Sequence, residues 1–270
     1  MEMNNNPFSL AGKTILVTGA SSGIGRETAI ACSRMGATVV ITARNAERLQ
    51  ETKNSLHRDG QEHKQLTADL TLTDEVTRLV ASLPPLDGAV LCAGNSTTLP
   101  LQFGTREKFD NMFDVNFFAP VELLRLLYKK KLLVKGASVV LLASIGGTHS
   151  FMPGNGVYGA SKAALNSLMK YAAREYASRK IRVNSICPGN FLDGPLWSDP
   201  VKGLYVQYLN AGKVPGAKTV DDVKEYYLSK VPMHKGCNPL DVTRAILYAI
   251  EQTGETGQAI PVTGGQVMLA

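Results

Sequence analysis

The chain is expected to adopt a doubly wound α/β fold, with a parallel sheet of about seven strands and helices on both faces in three layers. Three observations carry that expectation. Short apolar runs alternate with longer helical patterns from end to end. No internal repeat or low-complexity linker breaks the alternation. The first apolar run empties into a glycine-rich turn and then a helix, a transition common at the start of such sheets. The 270 residues suit one large sheet-centred unit, so a single domain over 1–270 is expected.

The first strand, at 14–17, is Thr-Ile-Leu-Val, and the turn after it leads to a helix at 25–35 that Gly36 ends, where a left-handed residue is wanted. A second strand at 38–42 and a helix at 46–56 follow, then a strand at 64–68 with a helix at 74–82. The fourth strand, at 88–92, leads to a long helical pattern at 106–131, whose last residues Lys129, Lys130 and Lys131 suit the negative end of a helix dipole. Strand 138–143, helix 157–178, strand 182–186, helix 239–252 and strand 259–262 complete the series. Residues 193–236 resist the pattern. They carry Trp197, Tyr205, Tyr208, Tyr226 and Tyr227 between a strand end and the last helix. Ligands of open α/β sheets bind at carboxyl strand ends, so this stretch is expected to be a substrate lid.

Composition narrows the class. Hydrophobic residues make up 44% and charged residues 19%, values of a globular chain able to bury a large core. The formal charge of +6 is scattered, with no aromatic-interleaved basic patch, so nucleic acid is not expected as a partner. Cys32, Cys92, Cys187 and Cys237 lie far apart without metal-ligand spacing, and no metal is expected. With no secretion signal before the first strand and no apolar run of membrane length, the chain reads as a reduced cytoplasmic protein without membrane contact.

The turn Gly19-Ala20-Ser21-Ser22-Gly23-Ile24-Gly25 suits a pyrophosphate. Gly19 can take angles closed to other residues, Gly23 leaves no Cβ between main chain and phosphate, and Gly25 lets the helix pack close to the strand. The helix N-terminus adds free N–H groups and a positive dipole. After the second strand, where an NAD-binding fold carries an acid, stands Ala43, and Arg44 beside it can meet a 2′-phosphate, with Ser22 and Asn45 adding neutral bonds. NADP(H) is therefore the expected cofactor.

For chemistry, Tyr158 and Lys162 are four residues apart and share one helix face. A nearby ammonium is expected to stabilise the phenolate and lower the tyrosine pKa. Tyr176 with Lys180 and Tyr226 with Lys230 repeat the spacing and are expected to be exposed helical pairs. Ser144 singles out Tyr158. It ends a strong apolar strand 14 residues earlier, and a hydroxyl there faces the cofactor crevice. His149, between the two, is expected to be solvated.

These motifs, in this order, resemble those of the single-domain, Rossmann-like branch of the short-chain dehydrogenase/reductase family over nearly the whole chain. Thr18-Gly19-x-x-x-Gly23-x-Gly25 resembles its cofactor turn, Asp69-Leu70 its adenine-contacting pair, and Asn116 after Val115 its helix asparagine. Ser144, Tyr158 and Lys162 resemble its catalytic residues, and Pro188-Gly189 the turn beside the nicotinamide. The resemblance implies an NADP(H)-dependent oxidoreductase interconverting a carbonyl and a secondary alcohol. Tyr158 would be general acid or base, Ser144 would bond the substrate oxygen, Lys162 would hold the ribose, and Asn116 would anchor a water linking Lys162 to solvent. Cofactor contacts are expected from Gly19, Ser21, Ser22, Gly23, Ile24 and Gly25, from Arg44, Asp69 and Leu70, and from Ala93, Gly94, Tyr158, Lys162, Pro188 and Gly189.

Two departures stand out. Leu91-Cys92-Ala93-Gly94 replaces the family's usual Asn-Asn-Ala-Gly, and Asp193 stands where many relatives have a threonine for the carboxamide. The substrate is expected to be a small carbonyl or alcohol, or, as in the related 3-oxoacyl carrier-protein reductases, an acyl thioester on an acidic carrier landing on Lys131, Lys135 and Arg179. A non-catalytic NADP(H)-binding sensor is the alternative of a different class. A homodimer or homotetramer is expected.

Overall fold

The structure, a computed structural model, describes residues 8–268, so residues 1–7 and 269–270 at the ends of the expected 1–270 unit lie outside the described residues. All seven expected strands form one parallel sheet: β1 (Thr14–Thr18), β2 (Thr38–Ala43), β3 (Lys64–Thr67), β4 (Leu86–Leu91), β5 (Leu133–Leu142), β6 (Arg182–Pro188) and β7 (Ala259–Val262). Their order is β3-β2-β1-β4-β5-β6-β7, so the direction of winding reverses between β1 and β4 and leaves a crevice at the carboxyl ends there.

Alternation along each strand decides which residue enters which layer. Ile15 and Val17 of β1 face one side with Val39, Ile41 and Val140, whereas Leu16 faces the other with Val40, Val139 and Leu141. Helices α1 (Gly23–Arg34), α2 (Ala46–Asn54) and α10 (Pro239–Glu251) cover the first side. Helices α3 (Thr73–Ala81), α5 (Ala119–Lys129) and α6 (Gly156–Tyr176) cover the second. Each Leu or Ile buried this fully contributes about 1.5–3 kcal/mol, which is why the three-layer arrangement dominates local preference.

The long helix expected at 106–131 is one helical run with a defect. It comprises α4 (Arg106–Phe113), a π-helical turn over Asp114–Phe118, and α5. Such turns insert a residue and redirect side chains, often at functional sites. This one centres on Asn116. Strand β5 starts earlier than expected: Leu86 pairs with Leu133 and Gly88 with Ser138, and the extra residues bulge around Gly136. No helix among the described residues is long and apolar enough to cross a membrane.

Residues 193–236 carry three short helices, α7 (Pro195–Ser198), α8 (Leu204–Asn210) and α9 (Val220–Leu228). Their aromatics largely pack on one another. Trp197 meets Tyr205, Tyr208 and Tyr227 at centroid distances of 5.2, 5.9 and 4.9 Å, in a small core of its own with Leu204, Val214, Val223 and Val231.

Candidate active site

Two crevices meet along the carboxyl edge of the sheet. One, about 500 Å³, runs from the β1–α1 turn past the ends of β2 and β3; the other, about 360 Å³, lies over the ends of β5 and β6. Ile24, Cys92, Gly94 and Leu142 border both, so they form one continuous groove.

The first crevice fits a dinucleotide on steric grounds. Gly19 and Gly23 have φ of +65° and +54°. A Cβ on Gly19 would stand 2.9 Å from Ala93 Cα, and one on Gly25 would collide with the Gly19 carbonyl oxygen. A Cβ on Gly23 would meet nothing within 4 Å, since that glycine faces open groove. Side chains cap α2, α4 and α10, but Ser22 ahead of α1 makes no capping bond, which leaves its hydroxyl and the first N–H groups of α1 for an anion. Ser21, Ser22, Ile24, Arg44, Asp69, Leu70, Ala93 and Gly94 line the same crevice. Arg44 lies 3.6 Å from Asp69. Burial works against the Asp69 charge, but the Thr71 N–H and hydroxyl bonds and the Arg44 cation outweigh it, and the carboxyl sits below its usual range. Arg48, in the first turn of α2, also lines this crevice, a residue the sequence does not single out.

In the second crevice, Ser144 leaves the end of β5 while Tyr158 and Lys162 come from one face of α6. Ser144 accepts the Gly146 N–H at 3.1 Å, and its hydroxyl lies near enough to the Tyr158 phenol to favour the phenolate. Lys162 Nζ donates to the Leu142 carbonyl at 2.8 Å and lies 5.9 Å from the centre of the Tyr158 ring. The expected lowering of the Tyr158 pKa is not what the structure gives. Burial pushes the phenol above its ordinary value, and the Ser144 bond offsets only part of that. Burial also draws Lys162 down to about 8, so the cation is itself weakly held. Pro188 and Gly189 close the far wall, where a Cβ on Gly189 would press on Gln266 Oε1 at 3.0 Å.

Asn116 lines neither crevice. Its Oδ1 accepts the Asn95 N–H at 2.8 Å, and its Nδ2 lies 2.9 Å from the Asn95 carbonyl and 3.1 Å from Ser161 Oγ. The side chain thus ties the loop after β4 to α6. With Thr18 Oγ1 accepting the Ala93 N–H at 3.1 Å, it holds the loop in which Cys92 replaces an amide. Burial pushes the Cys92 thiol up to about 12, so it packs as a neutral group. Asp193 turns to Lys224 on α9 at 2.8 Å.

Three sequence expectations need correction. Tyr176 is not exposed: it is buried and stacks on Tyr128 at 3.7 Å, while Lys180 leaves the helix with φ +57°. Tyr226 and Lys230, by contrast, are the exposed pair that the spacing predicts, bonded at 2.6 Å away from the groove. The basic cluster Lys131, Lys135 and Arg179 lies at the amino ends of β5 and β6, roughly 30 Å of strand from Ser144. There Arg179 donates to the Leu133 carbonyl at 2.6 Å, so the cluster cannot receive a carrier at the groove. Among the five lid aromatics, Trp197 alone borders the crevice, with Leu196 beside it, because the others satisfy one another. His149 is exposed outside it.

Residues 13–198 match the family described as short chain dehydrogenase. Trihydroxynaphthalene reductase of Colletotrichum orbiculare is 28% identical over a 272-residue alignment covering 96% of this chain and 91% of its own. A hydroxynaphthalene reductase-like protein of Metarhizium majus is 30% identical over 97% of each chain. A solved dehydrogenase/reductase of Sinorhizobium meliloti 1021 superposes with a TM-score of 0.76 at 27% identity, covering 96% of this chain and 97% of that one. A variant of actinorhodin polyketide ketoreductase solved with NADPH gives 0.78 at 25% identity, covering 94% and 97%.

Proposed function

The chain belongs to the short chain dehydrogenase family, and on that footing we propose that it is an NADP(H)-dependent reductase of neutral, ring-bearing ketones with Tyr158 as proton donor. The carrying observation is the convergence of Ser144, Tyr158 and Lys162 at the junction of the two crevices. A bound nicotinamide would supply the hydride. Tyr158 Oη holds the proton that the carbonyl oxygen takes, and its raised pKa keeps that proton in place at neutral pH. Ser144 Oγ, beside the phenol, is placed to donate its proton to the same oxygen once a substrate carbonyl is bound. Lys162 would hold the ribose, and Asn116 acts behind it by fixing the loop that carries Ala93 and Gly94.

Preference for the phosphorylated cofactor is supported by the end of β2, where Ala43 offers no carboxylate and Arg44, Arg48 and Ser22 line the crevice. The substrate class is supported by the apolar walls of the second crevice, Leu142, Phe191, Leu196 and Trp197, and by its single charged lining residue, Lys162, whose ammonium is engaged with Leu142. The named hydroxynaphthalene reductases among its relatives agree with a flat, neutral substrate. Residues 193–236 serve as the cover of that crevice through Leu196 and Trp197.

The test is a screen of purified chain with NADPH or NADH against cyclic ketones, hydroxylated aromatic ketones and 3-oxoacyl thioesters. Carbonyl-dependent oxidation of NADPH, abolished by Tyr158→Phe, is expected. No oxidation with any carbonyl would refute the reading, and equal use of NADH would refute its cofactor part.

A further inference from the structure

Asn155 stands immediately before α6, three residues ahead of Tyr158. Asparagine in that position usually caps its helix, as Asn45 and Asn238 cap α2 and α10. The Asn155 side chain caps nothing, and its amide makes no hydrogen bond among the described residues. It is spent on no structural task, yet it lines the catalytic crevice. It also borders a second, mainly apolar hollow of about 470 Å³ beside Leu101, Phe151, Met152 and Ala160.

Its position relative to the reacting groups is defined by a missing methyl. The point a Cβ on Gly146 would occupy is 3.1 Å from Asn155 Nδ2, 3.5 Å from Ser144 Oγ and 3.9 Å from Tyr158 Cε1. The amide and the two hydroxyl-bearing side chains therefore surround one small gap. Any oxygen that Asn155 bonds while Ser144 and Tyr158 hold the reacting carbonyl must lie close to that carbonyl, because each hydrogen bond reaches only about 2.9 Å.

We propose that Asn155 is a substrate-binding residue that selects ketones carrying a second neutral oxygen, hydroxyl or carbonyl, one or two carbons from the reacting carbonyl. An amide suits this task because it both donates and accepts and carries no charge. The adjoining apolar hollow takes the carbon skeleton beyond the second oxygen. Discrimination arises because only a ketone carrying that oxygen gains the hydrogen bond to the amide. The inference rests on the carbonyl-reductase reading.

A matched pair tests it: 2,2-dimethyl-1,3-cyclohexanedione, which cannot form an enolate between its carbonyls, and 2,2-dimethylcyclohexanone. The full chain should show the higher kcat/KM with the dione. Asn155→Ala should lower kcat/KM for the dione roughly 10-fold or more, mainly through KM, and leave the monoketone within about twofold. The ratio of the two ketones within one preparation is independent of how much variant folds. Equal loss with both ketones, no loss with either, or a native preference for the monoketone would overturn the role of Asn155 and leave the reductase reading standing. Reduction of no carbonyl at all would remove the reductase reading and this inference with it.

Discussion

Adding one methyl group at Gly23 should separate folding from cofactor binding. Its φ of +54° means that alanine there takes a left-handed conformation, at a cost of about 1–2 kcal/mol. No atom lies within 4 Å of the new Cβ, so no packing strain adds to this, and a chain of this size should melt only a few degrees lower. Gly19→Ala is the contrast. Its φ is +65° and its Cβ would stand 2.9 Å from both Ala93 N and Ala93 Cα, so overpacking of about 1–3 kcal/mol joins the backbone cost. Gly60→Ala is the control, with φ +83°, open space and a place outside the groove. The Gly23 methyl would stand in the floor of the groove and hold a pyrophosphate off the main chain. Loss of one or two hydrogen bonds to a charged group should weaken NADPH binding about 100-fold. Thermal melting and NADPH fluorescence titration of the three variants measure both effects. Native NADPH affinity in Gly23→Ala, or a melting loss as large as that of Gly19→Ala, would refute the cradle.

Three further outcomes are expected. Tyr158→Phe should lower kcat at least ~100-fold with little change in NADPH affinity, whereas Tyr226→Phe, which removes a bonded Tyr–Lys pair outside the groove, should leave kcat unchanged; steady-state assays decide. Arg44→Ala should weaken NADPH binding roughly 10- to 100-fold and Arg48→Ala less, with NADH titrations unmoved by either. Lys162 carries a folded pKa of about 8 against an unfolded value near ~10.4, so the unfolded chain binds the extra proton in that window and stability rises with pH across it, by about 3 kcal/mol. Denaturant titrations from pH 7 to 11 should show this rise as the difference between the native chain and Lys162→Met, and identical pH slopes for both would count against the buried ammonium.

The glycines of the first turn, the missing acid at Ala43 and the hydroxyl at the end of β5 were legible in the sequence because each acts through its own backbone or immediate neighbours. Strand alternation predicted the two faces of the sheet for the same reason: side-chain direction follows from the local pleat. Element ends were less legible. The bulge in β5 and the π-helical turn at Asn116 answer to partners far along the chain, Leu86 and Gly88 in one case and Asn95 and Ser161 in the other.

Three Tyr-x-x-x-Lys pairs have the same local spacing, and only packing tells them apart: one meets Ser144 in the groove, one is split by a stacked Tyr128, and one bonds in the outer cluster. The direction of the Tyr158 pKa is likewise set by how much water the surrounding strands and helix exclude, which the neighbouring Ser144 hydroxyl offsets only in part. Arg48 joined the first crevice, Asn155 the second, and the basic cluster the far end of the sheet, through the placement of whole elements. Residue type and short-range spacing therefore determined which chemistry this chain can carry. Desolvation and the meeting of distant segments, which depend on every neighbour at once, decided which copy of each motif reaches the groove.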